Sequence, residues 1–145
     1  MHTVQRECKF IHRAPFCNPS YMFTSKSVIL VVDDYADLRA TMQRMLEGDG
    51  HHVITAANGA EGFAALLDRR GCVDAVVLDL YMPKLNGLHF AELVRIAWPA
   101  VPILIVSAYA EIPQVQEAIA RLQLPILAKP FTKEALIGAV TGMMV

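Results

Sequence analysis

The sequence has no apolar run long enough to cross a membrane. Its richest window, Val101 to Ala110, is broken by Pro102 and Ser107, and falls well short of the roughly 18 uninterrupted residues a span needs. It has no charge excess either. The 13 Lys and Arg against 14 Asp and Glu leave a formal charge of −1, which gives no general attraction to nucleic acid. Cysteine is scarce: Cys8, Cys17 and Cys72 are an odd set without paired spacing. A disulfide framework is therefore not expected, and a reducing, cytoplasmic setting fits. No glycine-rich turn follows the first strand-like run, where Asp33-Asp34-Tyr35 stands instead, so a dinucleotide-binding fingerprint is missing. What the chain does have is apolar residues, 54% of 145, with a mean hydropathy of +0.38. Apolar content this high, cut into short pieces, suggests one domain with several fully buried strands.

The charge is unevenly spread. Through residue 27, Arg6, Lys9, Arg13 and Lys26 stand against Glu7, a balance of +3, which leaves −4 for the remainder. That opening stretch holds Pro15, Asn18 and Pro19, shows no helical or strand period, and lacks the apolar core of a secretory signal. Residues 1–26 are expected to be a poorly ordered leader and residues 27–145 a single domain. A metal site from Cys8, His12 and Cys17 is set aside, because no fourth ligand is evident and the spacing matches no common zinc pattern.

From Val28 onward short apolar runs alternate with amphipathic stretches. Val28 to Val32, His52 to Ala56, Val73 to Leu80, Ile103 to Val106 and Ile126 to Ala128 read as strands. Leu38, Met42, Met45 and Leu46 form one helical face, with Asp37 as its expected cap and Gly48 and Gly50 at its end. Further helices are expected around Phe63 to Leu67, over Leu88 to Trp98, over Val115 to Leu122, and from a Thr132 cap to about Met143. Five strands alternating with five helices predict an α/β fold, a parallel sheet covered on both faces. There is no internal repeat, and no second domain is expected.

The polar residues of interest stand at strand ends: Asp33 and Asp34 at the first, Asp79 at the third, Ser107 at the fourth and Lys129 at the fifth. In a parallel α/β sheet the C-terminal strand ends gather at one edge, where ligands bind. Taken singly, a strand-end Asp is more often a helix cap, an Asp-Asp pair a solvated turn, and Lys129-Pro130 a plain loop. Together, three carboxylates, a hydroxyl and an ammonium at one edge call for another account. Clustered carboxylates repel one another unless a divalent cation holds them, and Mg2+ suits oxygen ligands. A carboxylate can also act as nucleophile toward phosphorus, in a transfer that rests on positioning and charge neutralisation.

Val-Val-Asp33-Asp34, Leu-Asp79-Leu-Tyr-Met-Pro83-Lys-Leu-Asn-Gly87, Ile-Val-Ser107-Ala and Lys129-Pro130-Phe131-Thr132 together resemble the response-regulator receiver family, the CheY-like domains. The resemblance covers roughly residues 26–145. It implies a flavodoxin-like five-stranded sheet of order 2-1-3-4-5 with five helices on both faces. It also implies a phosphoryl acceptor at Asp79 and Mg2+ bound by Asp34, Asp79 and the Tyr81 main-chain carbonyl, with Asp33 acting largely through water. Ser107 and Lys129 would each contact a phosphoryl oxygen, and the Lys129-Pro130 bond would be cis. The implied role is a signalling module rather than an enzyme, one that catalyses its own phosphorylation and slow dephosphorylation. The implied phosphoryl donor is a sensor histidine kinase or histidine phosphotransfer protein, docking near Tyr35, Leu38 and Met42, with a place in the core equally open to Met42.

Three positions depart from the family pattern. Ile126 stands where members usually carry Tyr or Phe three residues before the active-site lysine, so ring rotation cannot serve as the switch; a core role is expected for it. Tyr81 and Tyr109 stand where the family tunes hydrolysis of the phosphoryl group, and two bulky rings there predict slow self-dephosphorylation. Tyr109 is also the alternative switch candidate beside Ser107. Among rival functions, a haloacid-dehalogenase-type phosphatase resembles Asp-x-Asp chemistry, and its second acid is here Tyr81. A receiver excised from a hybrid histidine kinase and a phosphorylation-independent interaction domain both keep the fold. No DNA-binding helices are expected after the fifth helix, so signalling should proceed through protein contacts.

Overall fold

The computed structural model describes residues 26–80 and 86–144. The expected leader thus lies outside the described residues apart from Lys26, as do Cys8, His12, Cys17 and Tyr81. Five parallel strands, β1 (Val28–Val32), β2 (His52–Ala56), β3 (Ala75–Asp79), β4 (Ile103–Ser107) and β5 (Ile126–Ala128), form one sheet of order β2-β1-β3-β4-β5. Between and after them run α1 (Ala36–Gly48), α2 (Gly59–Asp68), α3 (Gly87–Ala97), α4 (Pro113–Leu122) and α5 (Lys133–Met143). This is the expected topology.

The β-branched runs make β1, β3 and β4 the centre of the sheet, and every residue of these three strands is buried. Side chains alternate between faces along a strand, which divides the core in two. Leu30, Val32, Val76, Leu78 and Ile105 pack with Leu66, Phe90, Val94 and Ile119 from α2, α3 and α4. Ile29, Val31, Val77, Leu104 and Val106 pack with Met42 and Leu46 of α1 and Leu136 and Val140 of α5. The edge strands differ: β2 mixes exposed, half-buried and buried residues, and β5 has no buried residue.

Helix starts follow local hydrogen bonding. Asn58 accepts the Glu61 amide while the Glu61 carboxylate accepts the Ala57 amide, a reciprocal cap on α2. Asn86 accepts the His89 amide and Thr132 the Ala135 amide, so Thr132 caps the last helix as expected. Pro113 opens α4, where its missing N–H is harmless and its fixed φ suits the first turn.

Several expectations are corrected. Asp37 does not cap α1; Tyr35 holds that position without a side-chain bond, and Asp37 lies in the first turn. The third strand begins at Ala75, because Asp74 is occupied otherwise: its amide donates to the Val28 carbonyl and its carboxylate accepts the Val28 amide at 2.8 Å. Ile126 is not core, since β5 is an edge strand and leaves it 37% exposed. Met42 is fully buried and cannot belong to a docking face.

Candidate functional site

β1 and β3 lie side by side, with Val32 opposite Leu78, so the residues that end them emerge together. Asp33 follows directly on β1 and Asp79 closes β3. Carboxylate oxygens of Asp33, Asp34 and Asp79 all lie within 4.8 Å of one another. Asp33 and Asp79 are buried and Asp34 is exposed, so the cluster opens to solvent on one side. The five strand-end residues picked out in the sequence divide into this acidic group and two residues on the neighbouring strands.

Lys129 enters from the far side. Its amide donates to the Ser107 carbonyl at 2.9 Å, which fixes the start of its side chain beside β4. Its Nζ reaches 3.4 Å from Asp79 Oδ1 and 3.6 Å from Asp33 Oδ2. The Lys129-Pro130 bond is cis, as expected. Ser107 is buried at the end of β4, and its Oγ accepts the Tyr109 amide at 2.9 Å. That bond orients the hydroxyl and leaves its proton for another acceptor. Tyr109 itself is 50% exposed.

Asp33 is held in an unfavourable electrostatic setting. Burial pushes its carboxyl above the ordinary carboxylate range, and the Asp34 charge adds to this; the Tyr35 amide and the Lys129 ammonium pull the other way. Oδ1 accepts the Tyr35 amide at 2.9 Å. Oδ2 has no hydrogen-bond partner among the described residues, because Lys129 attracts it from just beyond hydrogen-bond range. A buried carboxylate oxygen without a donor is costly. Placed against two more carboxylates, it fits a site for a hard divalent cation such as Mg2+. The Tyr81 carbonyl, expected as a further ligand, lies outside the described residues.

One contributor escaped the sequence reading. Arg39, on α1, donates from Nη1 to the Asp33 carbonyl at 2.8 Å and so anchors the turn that carries both acids. Nothing in its helical position distinguishes it from a solvated arginine. Beside the site, a hollow of about 380 Å3 is lined by Leu38, Thr41 and Met45 of α1 with Ala108, Lys129, Pro130 and Phe131. Of the expected docking residues, Leu38 is half-buried on this wall and Tyr35 is 62% exposed.

Comparison with known proteins agrees with this geometry. Residues 29–141 match the response regulator receiver domain. The chain is 35% identical over 113 residues to the transcriptional regulatory protein GlrR of Escherichia coli, covering 77% of this chain and 25% of that protein. It is 34% identical over 119 residues to the transcriptional regulatory protein PrrA of Mycobacterium tuberculosis, covering 80% and 49%. The chain thus spans between a quarter and a half of the length of these curated relatives. Among solved structures, the Vibrio cholerae chemotaxis protein CheY4 superposes with a TM-score of 0.74 at 27% identity, over 81% of this chain and 98% of that one. The receiver domain of NtrX from Brucella abortus does so with a TM-score of 0.73 at 29% identity, over 80% and 97%. With the 2-1-3-4-5 sheet and an acidic cluster at its strand ends, the chain belongs to the receiver domain family of two-component response regulators.

Proposed function

We propose that Asp79 accepts a phosphoryl group from a phosphohistidine donor in a Mg2+-dependent reaction. The observation that carries this is the convergence of the Asp33, Asp34 and Asp79 oxygens within 4.8 Å, with the Lys129 ammonium 3.4 Å from Asp79. In the reaction an Asp79 oxygen attacks phosphorus while the phosphorus–nitrogen bond of the donor breaks. The bonding pair returns to the imidazole nitrogen, and an acyl phosphate is left on Asp79. Asp34, Asp79 and the Tyr81 carbonyl would hold the ion, with Asp33 acting largely through water. When bound, Mg2+ offsets the repulsion between the incoming phosphoryl oxygens and the carboxylates. Lys129 supplies a positive charge to one phosphoryl oxygen, and the Ser107 proton is available to another.

On this reading the chain catalyses its own modification and works as a cytoplasmic signalling module rather than an enzyme. No helix among the described residues is long and apolar enough to cross a membrane. The donor is a sensor histidine kinase or histidine phosphotransfer protein. The hollow bordered by Leu38, Met45 and Phe131 offers it an apolar foothold beside the acceptor. A phosphorylation-independent role is disfavoured, because each acidic and basic group the chemistry needs is present.

The test is incubation with acetyl phosphate and Mg2+, followed by intact-mass measurement. Wild type should gain about 80 Da, and the Asp79→Asn variant should gain nothing. An equal gain in both would place the modification elsewhere. Tyr81→Asn should hasten decay of the phosphorylated form several-fold; phosphoryl lifetimes equal to wild type would discard the proposed shielding by the ring.

A further inference from the structure

We infer that Gly87 is a positioning residue for Asp79: the absence of a side chain there lets the first turn of α3 press on the backbone of Asp79 and Leu80. This rests on the proposed role of Asp79 and concerns what fixes that residue's place. A Cβ built on Gly87 would stand 2.4 Å from the Asp79 carbonyl oxygen, 2.7 Å from Leu80 Cα and 2.8 Å from the Leu80 carbonyl oxygen. All three are backbone atoms, so no side chain can swing aside. The contact is held in place, since the Gly87 amide donates to the Leu80 carbonyl at 2.9 Å.

Which partner would yield to an added methyl follows from how each is anchored. α3 is fixed in the core by Phe90, Ala91 and Val94, all fully buried, and its start is capped by Asn86. The Asp79–Leu80 segment is the end of a strand, and its last ladder bond, from the Leu80 amide to the Val106 carbonyl, is long at 3.4 Å. The displacement therefore falls on the strand end. There the Asp79 carboxylate would shift against Asp33, Asp34 and Lys129. The Asn86-Gly87 pair reads in the sequence as an ordinary turn. Gly87 is in fact the first residue of a helix, where an alanine would ordinarily be favoured over glycine.

The experiment compares Gly87→Ala with two variants in the full chain. Asn86→Ala removes the α3 cap without adding an atom near Asp79. Gly62→Ala crowds Val32 and Phe90 at 3.0 and 3.2 Å, away from the Asp79 backbone. Measurements are thermal stability, Mg2+ affinity of the unphosphorylated protein by calorimetry, and the rate of mass gain from acetyl phosphate. Gly87→Ala should weaken Mg2+ binding by about tenfold or more, as expected when support behind a metal ligand is disturbed. The two controls, at comparable loss of stability, should stay close to wild type. Gly87→Ala matching wild type in affinity and rate, or the controls matching Gly87→Ala, would overturn the inference. Should Gly87→Ala not fold, the wild type decides. On Mg2+ titration the Gly87 amide resonance should move together with those of Asp79 and Leu80, and a stationary Gly87 would overturn it. Failure of wild type itself to bind Mg2+ or gain mass would instead count against the role of Asp79.

Discussion

The two sides of the site are built differently. The carboxylates rest on β1 and β3, central strands buried at every residue, whereas Lys129 leaves β5, an edge strand of three residues with none buried. Strands inside a sheet are held by ladder bonds on both sides and by packing on both faces, and an edge strand has neither in full. The acidic half is therefore fixed by the core, while the cationic half can shift at small cost. In a signalling domain that division is useful. On the proposed function, the acids that would hold the ion stay put, and the lysine that would pair with a phosphoryl oxygen follows a short edge strand, beside exposed Ile126 and Tyr109.

The sharpest way to break this comparison is to weaken each side in turn. Leu30→Ala, in the buried β1, should cost about 2–5 kcal/mol in denaturant unfolding. Ile126→Ala on β5 should cost less than about 1 kcal/mol; similar losses for both would mean that β5 is as firmly held as the centre. Asp33→Asn should have an effect of the opposite sign. Burial raises the Asp33 carboxyl above its ordinary value of 3.8, so the fold prefers it protonated. The stabilisation it gives is present below that value and is lost as pH rises through the raised one. Near neutral pH, Asp33→Asn should therefore stabilise the metal-free protein by roughly 1 kcal/mol. Calorimetric scans across pH should show the decline on leaving acid conditions in wild type and a flatter course in the variant. Mg2+ should then reverse the ranking, stabilising wild type by mass action more than the variant. A variant less stable than wild type without metal would show that the Lys129 and Tyr35 contacts outweigh burial.

Much of this was legible in the sequence, for identifiable reasons. Val28–Val32, His52–Ala56 and Ile126–Ala128 came out at their observed bounds, because β-branched runs between turn residues have few alternatives. Asp33, Asp34, Asp79, Ser107 and Lys129 were found because each interrupts apolar sequence where a parallel sheet gathers its strand ends. What stayed hidden was what periodicity does not encode. A three-residue apolar run looks the same at a sheet's centre and at its edge, which is why Ile126 was assigned to the core. Met42 sits on a helical stripe that fits either core or contact surface. Asp37 was a fair cap on composition alone, yet Asp33, two residues before Tyr35, had already bound the Tyr35 amide through its side chain. Arg39 and Gly87 act through backbone atoms brought close only by the fold.

The pairing of β1 with β3 has a consequence for how the protein is made. Asp33 leaves the ribosome early, but its oxygens acquire their companions only once β3 has been synthesised and has docked beside β1, and the amine at 129 arrives later still. A nascent chain short of β5 thus carries the acids without their counter-charge. Because the acidic cluster is assembled only in the folded chain, magnesium bound there as proposed would act on the finished domain, drawing late-folding molecules toward the native state.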